Sequence, residues 1–445
     1  MSKVIAGMDW QELYSFASKQ ALLGLCFEGI ERLGKEYPEE LRLNPIGREL
    51  LMTWMGKAQQ IRRQNMKVNA VASKLFSMLR EDGLRCCILK GQGTALMYPN
   101  PYSRTPGDID VWIDASRERI MEYAQKKYEL GDDIRLQHLE TSLDGVPVEL
   151  HFFPCSMNNP IYHARLQKWF KRNADLQCSH IVGLPDGAGD IAIPTTAFNV
   201  VYQLTHLYHH FFDEGIGMRQ IIDYFLVVND FSKNVFLDYD FSNHPVPLSK
   251  EGSTFSPSPS SSGSGDVTAP SRCSEPLRSK DGGASKPSPD CAGWDRRGVS
   301  GDTSSASCSS ASGSSITSVR SAFTTDSSAS TALVVVQREL KYLGLWKFAG
   351  AVMYVLKEVL GLAEDKMIVP MDEKRGRLLL AEILDGGNFG RHFTKYAGFT
   401  HQSMGKKYFL KIWRNMHFVR YYPAEALSEP IFRTWHFFWR VKNKK

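Results

Sequence analysis

A serine-rich stretch divides this chain and limits what it can fold into. Residues 251–330 hold 26 serines among 80 positions, in runs such as SPSPSSSGSG and GDTSSASCSSASGSSITS. Such a segment has too little apolar side chain to offset the entropy of ordering it, so residues 243–331 are expected to be disordered. Any hydrophobic core must come from the residues before and after it. Helical periodicity reaches the segment in MRQIIDYFLVV (218–228) and resumes in VVVQRELKYLGLWKFAGAVMYVLKEVLGL (334–362). The segment therefore reads as an insertion into a helical domain, either a tolerated surface loop or a phosphorylated or partner-binding tether.

Elsewhere the composition is that of a globular protein. With 445 residues, 42% hydrophobic and 23% charged, the chain is long enough for two or three domains. The N-terminus MSKVIAGMDWQELYSFASKQ lacks the apolar centre of a signal peptide, and no apolar run reaches the roughly 18 residues of a membrane span. A cytoplasmic protein is expected. The eight cysteines (Cys26, Cys86, Cys87, Cys155, Cys178, Cys273, Cys291, Cys308) form no CxxC and no Cys/His pattern with zinc spacing, so they read as reduced thiols. Cys86 and Cys87 fall in the apolar run CCIL, a buried strand.

Helix-compatible patterns cover 9–34, starting with Trp10, Leu13, Tyr14 and Phe16, and 47–81, with Met66, Val71, Leu75 and Leu79 spaced along it. A strand follows at 85–89, a helix at 93–97, a strand at 108–113 and a helix at 116–126. Strands at 136–142 and 147–153 are joined by the turn Asp144-Gly145. From Thr195 onward, the insertion apart, the pattern is mostly helix. These cues predict an α+β protein with a small mixed sheet: a helical segment over 1–82, a core over 83–190, and a helical domain over 191–242 and 332–445, with the insertion at 243–331.

The chemistry concentrates in residues 89–110, LKGQGTALMYPNPYSRTPGDID. Side chains alternate along a strand, so Asp108 and Asp110 share a face while Ile109 and Val111 turn to a core. Two carboxylates held side by side repel unless a cation lies between them, and hard divalent cations favour carboxylate oxygens. In VPVELHFFP, Glu149 emerges from an otherwise apolar strand on the face opposite Val148 and Leu150. Were that strand to lie beside the first, about 4.8 Å away, Glu149 would reach the same ion.

The run LKG, Tyr98-Pro99, Arg104 and GDIDVWI, followed by VPVELHF, resembles an uncharacterised bacterial nucleotidyltransferase family of the DNA polymerase β-like superfamily. HLYHHFFDEGIGMRQIIDY (206–224), LKYLGLWKFA (340–349) and FVRYYPAEALSEPIFRTWHFFWR (418–440) look like its helical half. The resemblance spans nearly the whole chain except the serine-rich segment. It implies a polymerase β-like core and Mg²⁺, with Mn²⁺ as an alternative, held by Asp108, Asp110 and Glu149. The predicted reaction transfers a nucleoside monophosphate from an NTP to a hydroxyl on a small molecule, a protein or an RNA end. Glu149 would serve as metal ligand, as general base, or as both. Lys90 and Gly91 would serve the triphosphate, glycine allowing close backbone approach and the next helix start offering free N–H groups. Many superfamily members carry Gly-Ser at this turn where this chain has Lys-Gly, so that hydroxyl contact is absent. Arg104 would add a bidentate phosphate contact. The rival readings are a toxin-like enzyme that adds nucleotides to tRNA and a nucleotide sensor without turnover.

Other residues invite simpler explanations. Asp114, past the end of the acidic strand, is expected to cap the helix that follows. His206, His209 and His210 sit at helical spacing and read as a packed or hydrogen-bonded face rather than a zinc site. Arg219 and Asp223, four apart, would pair within their helix or face the nucleotide cleft. His138 and His151 flank the acidic strand and would touch substrate. Residues 406–445 carry ten Lys or Arg against two Glu, interleaved with aromatics. This tail reads as packed helix with snorkelling basic stems, or as a weak nucleic-acid contact.

Overall fold

The computed structural model describes residues 2–128, 135–234, 325–392 and 404–443, to which the structural statements below refer. The N-terminal helices are α1 (Ser2–Ala6), α2 (Trp10–Lys19), α3 (Leu23–Glu36), α4 (Pro38–Leu43) and α5 (Arg48–Glu81). Where the periodicity predicts one helix over 9–34 there are two, because Ala21 takes a φ of 57° between them. Asp9 caps α2 by accepting from the backbone N–H groups of Gln11 and Glu12. α5 runs 34 residues without interruption.

The sheet is built from β1 (Cys86–Leu89), β2 (Ile109–Ile113), β3 (His138–Leu143) and β4 (Val146–His151), with α6 (Gly91–Ala95) after β1 and α7 (Arg117–Lys127) after β2. Its order is β1-β2-β4-β3. β2 and β4 run parallel, and the two outer pairings are antiparallel. The β3–β4 turn places Asp144 and Gly145 at φ of 50° and 70°, the pair of positive values a tight hairpin requires.

Strand alternation then decides which residues meet which helices. Ile88, Ile109, Val111, Ile113, Val148 and Leu150 pack with Val71, Leu75 and Leu79 of α5 and Ile120 and Ala124 of α7. The opposite face sends Cys87, Leu89 and Trp112 into a second core shared with the later helices. Both faces are covered, so Cys86 and Cys87 are buried as the CCIL run predicts. The polar residues on that second face are enclosed with them.

The later helices are α8 (Pro160–Ser179), α9 (Thr196–Asp213), α10 (Met218–Asn234), α11 (Thr325–Tyr342), α12 (Trp346–Leu360), α13 (Glu373–Gly386), α14 (Met404–Met416) and α15 (Pro423–Asn443). A two-stranded ribbon, β5 (Ile181–Gly183) with β6 (Asp190–Ala192), follows α8. Every residue of α12 from Phe348 to Leu356 is buried, as expected of a helix apolar on all sides. α11 starts at Thr325, within the segment expected to be disordered to 331. Residues 243–324 lie outside the described residues.

The basic C-terminal stretch is engaged in packing at three of its cations. Lys411 Nζ lies 2.6 Å from Asp213 Oδ1, Arg433 Nη2 lies 3.0 Å from the same oxygen, and Arg414 donates to the Phe211 carbonyl at 2.9 Å. The five described cysteines are unpaired. Among the described residues no helix is long and apolar enough to cross a membrane.

Asn65, buried on α5, donates to the carbonyls of Tyr102 at 3.2 Å and Arg104 at 2.8 Å, tying the segment before β2 to the long helix. Replacing Asn65 with Leu keeps the number of side-chain heavy atoms, removes the amide and orphans both carbonyls. Urea unfolding should show a loss of about 1–3 kcal/mol.

Candidate active site

The register of β2 against β4 sets Asp110 beside Glu149 and Trp112 beside His151. The register of β3 against β4 sets His138 opposite His151. Asp110, Glu149, His151 and His138 therefore share the sheet face that looks toward the later helices, with Asp108 just before the start of β2. Of the six predicted site residues, Asp108, Asp110, Lys90, Gly91 and Arg104 line one small cavity of about 60 Å³. Glu149 stands next to Asp110 on the neighbouring strand.

Contacts within the row are close. His151 Nε2 lies 2.9 Å from Asp110 Oδ1 and 3.1 Å from Glu149 Oε2. His138 Nδ1 is 3.3 Å from that same Glu149 oxygen. Lys90 Nζ lies 3.1 Å from Asp110 Oδ1 and 2.6 Å from His206 Nε2 on α9. His138 and His151, expected to touch substrate, are direct neighbours of the acidic row. His206 meets His210 at 3.0 Å, in keeping with a hydrogen-bonded helix face.

Lys90 and Gly91 sit at φ of 50° and 39° in the turn from β1 into α6. Positive φ at a lysine costs about 1–3 kcal/mol and persists only where the surroundings enforce it. Here the turn delivers the ammonium to Asp110. α6 has only five residues, so it contributes bare N–H groups and little helix dipole.

Burial and mutual repulsion set the electrostatics. Asp108 is exposed just before β2, and the charge of Asp110, with partial desolvation and the charge of Glu149 behind it, pushes its carboxyl up to about 6. Burial works against the Asp110 carboxylate as well, yet Lys90 and His151 hold it well below the usual range. Burial disfavours charge on His151, but its bonds to Asp110 and Glu149 raise it to about 9, making it an imidazolium between two carboxylates. His138, with burial and then the charge of His151 against it, is lowered to about 4 and is neutral. Asp108, Asp110 and Glu149 are oxygen donors of the type hard divalent cations take, but among the described residues the group whose donor atoms already lie within 4.8 Å of one another is His138, Glu149 and His151.

Arg104, expected to contact phosphate, lines the small cavity but is paired within the protein. Its Nε and Nη2 are bidentate, both at 2.8 Å, to Asp223 on α10. A buried guanidinium needs a counter-charge, and Asp223 supplies it. Tyr98 Oη donates to the same carboxylate at 2.8 Å. Asp223 is thereby withdrawn from the intrahelical pair with Arg219. Arg219 instead faces the small cavity, 8% exposed, with Nη1 donating to the Thr105 carbonyl at 3.0 Å and Nε without a hydrogen-bond partner. Asp114 is no cap either. It pairs with Arg85, and the Ser116 hydroxyl caps α7 by accepting from Arg119 N–H at 3.3 Å.

A larger cavity of about 270 Å³ opens beside His138, lined by Gln137, Ser156, Asn158, His209 and Arg433 among others. No sequence motif marks it, since its walls come from the segment leading into β3, the loop before α8, and α9, α14 and α15.

Removing Asp223 strands the buried Arg104 charge. Asp223→Asn should lose about 3–5 kcal/mol in urea unfolding. Lys74→Ala breaks the half-exposed pair with Asp144 (2.8 Å) and should cost about 1 kcal/mol or less.

Comparison with known proteins identifies the chain at the level of family. No curated protein matches the chain. Among solved structures it is similar to an antigenic nucleotidyltransferase-like protein from Paracoccidioides brasiliensis, with 17% identity over 36% of this chain and 75% of that one, and a TM-score of 0.25. A family model described as "uncharacterised nucleotidyltransferase" matches residues 6–242, more than half of the chain and all of the acidic row. The chain belongs to that uncharacterised nucleotidyltransferase family.

Proposed function

We propose that the protein is a divalent-cation-dependent nucleotidyltransferase that moves a nucleoside monophosphate from an NTP to a hydroxyl acceptor. The observation that carries this reading is the parallel pairing that aligns Asp110 with Glu149, next to Asp108 and under the Lys90 ammonium. Family membership supports it independently.

Asp108, Asp110 and Glu149 would hold Mg²⁺, or Mn²⁺ in its place. Bound there, the ion would supply charge stabilisation at the phosphates and at the leaving pyrophosphate. Lys90 and the Gly91 turn would receive the triphosphate, Lys90 as a point charge at the mouth of the row. Arg219, which lines the small cavity with its Nε unpartnered, would assist at the phosphates. Arg104 positions that side of the cavity through Asp223. Glu149, one oxygen of which meets His151 and His138, takes the proton of the acceptor hydroxyl. The acceptor oxygen then bonds to the α-phosphorus, the bond from that phosphorus to the bridging oxygen breaks, and pyrophosphate leaves with the electron pair.

Incubating the purified chain with each α-labelled NTP, Mg²⁺ or Mn²⁺ and cell extract tests the reading. Label should enter an acceptor, and Asp108→Asn should reduce it at least about 100-fold. Full labelling by Asp108→Asn would overturn the assignment of the acidic row. Label in tRNA would identify the acceptor as RNA, and tight NTP binding without labelled product would mark a sensor.

A further inference from the structure

On the far side of Glu149 from Asp108, the sheet assembles a second donor set of a different kind. His138 and His151 face each other across the β3–β4 pair, their ring centroids 5.0 Å apart, and Glu149 lies two residues before His151 on the same face. One donor atom from each of the three falls within 4.8 Å of the others. Glu149 Oε2 is 3.1 Å from His151 Nε2 and 3.3 Å from His138 Nδ1. Ligands of a tetrahedral Zn²⁺ with bonds of about 2.0–2.1 Å stand roughly 3.3 Å apart, so these edges already have the right length.

A second, independent observation concerns His138. Its side chain is about nine-tenths buried, yet neither ring nitrogen makes a hydrogen bond. Nδ1 is near Glu149 without hydrogen-bond alignment, and Nε2 is 3.8 Å from Glu140 Oε1, beyond hydrogen-bond reach. Buried imidazole nitrogens rarely go unused, and a metal ion would employ one. His138 also lines the cavity of about 270 Å³, which offers an ion a path inward and space for an oxygen ligand from water or substrate.

We propose that His138, Glu149 and His151 form a site for a borderline divalent ion of the Zn²⁺ class, adjoining the all-oxygen site of Asp108 and Asp110 and sharing Glu149 with it. Two imidazoles and one carboxylate favour such an ion over Mg²⁺, and three protein ligands leave a fourth position open. Binding releases the proton that His151 Nε2 shares with the carboxylates. The inference shares Glu149 with the proposed reaction but does not depend on nucleotidyl transfer taking place.

Calorimetric titration of the metal-free full-length chain with Zn²⁺, and separately with Mg²⁺, tests it without any activity measurement. The wild type should bind one Zn²⁺ far more tightly than Mg²⁺. His138→Ala should weaken Zn²⁺ at least about 10-fold and leave Mg²⁺ binding unchanged. Asp108→Asn should keep the Zn²⁺ site. His210→Ala controls for the other close imidazole pair, His206 with His210, and should have no effect. Co²⁺ added to the wild type should give the intense visible absorption of a four-coordinate site, a readout that needs no variant to fold. Wild-type Zn²⁺ affinity in His138→Ala, a loss in His210→Ala, or only the weak colour of six-coordinate Co²⁺ would each overturn the proposal. A chain that binds Zn²⁺ as described but never transfers label would refute the reaction and keep the site.

Discussion

The parallel pairing of β2 with β4 is the constraint on which the rest of the site depends. Ile109 faces Val148 and Val111 faces Leu150 on the side covered by α5 and α7. That apolar side fixes the register, because a slip of one residue would turn Glu149 into the core and Leu150 out of it. With the register fixed, Asp110 and Glu149 have no choice but to lie side by side. Packing on one face of the sheet thus imposes an electrostatic problem on the other. The imidazolium of His151 and the ammonium of Lys90 answer it in the described structure.

The second half of the site is positioned from a distance. Arg104 and Asp223 lie 119 residues apart in sequence and join the segment before β2 to α10. A buried ion pair is seldom worth more than a well-packed apolar replacement, so its contribution here is geometric. Arg219 sits one helical turn before Asp223 on α10 and is carried to the cavity by the same contact. Asn65 holds the Arg104 carbonyl from the other side, and Lys90 reaches across to His206. The walls of the small cavity come from the β1–α6 turn, the segment leading into β2, α9 and α10, and the long helix supports one of them from behind through Asn65.

The carboxylates were legible in the sequence because a strand has a period of two and an acid isolated among valines and leucines must face away from them. Their adjacency was not legible. β4 reaches β2 only after α7 and β3 have passed, and nothing local marks a parallel pairing. Arg104 reads in sequence only as a phosphate contact, because its partner Asp223 is hidden by sequence distance. α8 left a signal that went unread: Asn159 accepts from the N–H groups of Ile161 and Tyr162, and Pro160 occupies the first turn, a common helix start. The polarity of residues 160–179 masked it, since few of them are buried. The expected end of the serine-rich segment fell too late by two turns, because alanine, serine and threonine continue the α11 pattern backward from its apolar run.

The charges of the row do not balance, and the imbalance has a location. Asp110 is flanked by Lys90 and His151, and Glu149 by His151 with a neutral His138. Among the described residues Asp108 has no ion pair, and its carboxyl is the one pushed upward, chiefly by Asp110. A cation entering the small cavity therefore meets its largest unmet demand at Asp108, at the mouth, before it reaches the neutralised interior of the row. Lys90 stands at the same mouth with its backbone in a conformation that lysine rarely adopts. A triphosphate arriving there would draw the ammonium toward itself and free an Asp110 oxygen, so that anion and cation make room for each other. Under the proposed function, strain at one residue and excess charge at the other would let the site take up two ligands of opposite sign together.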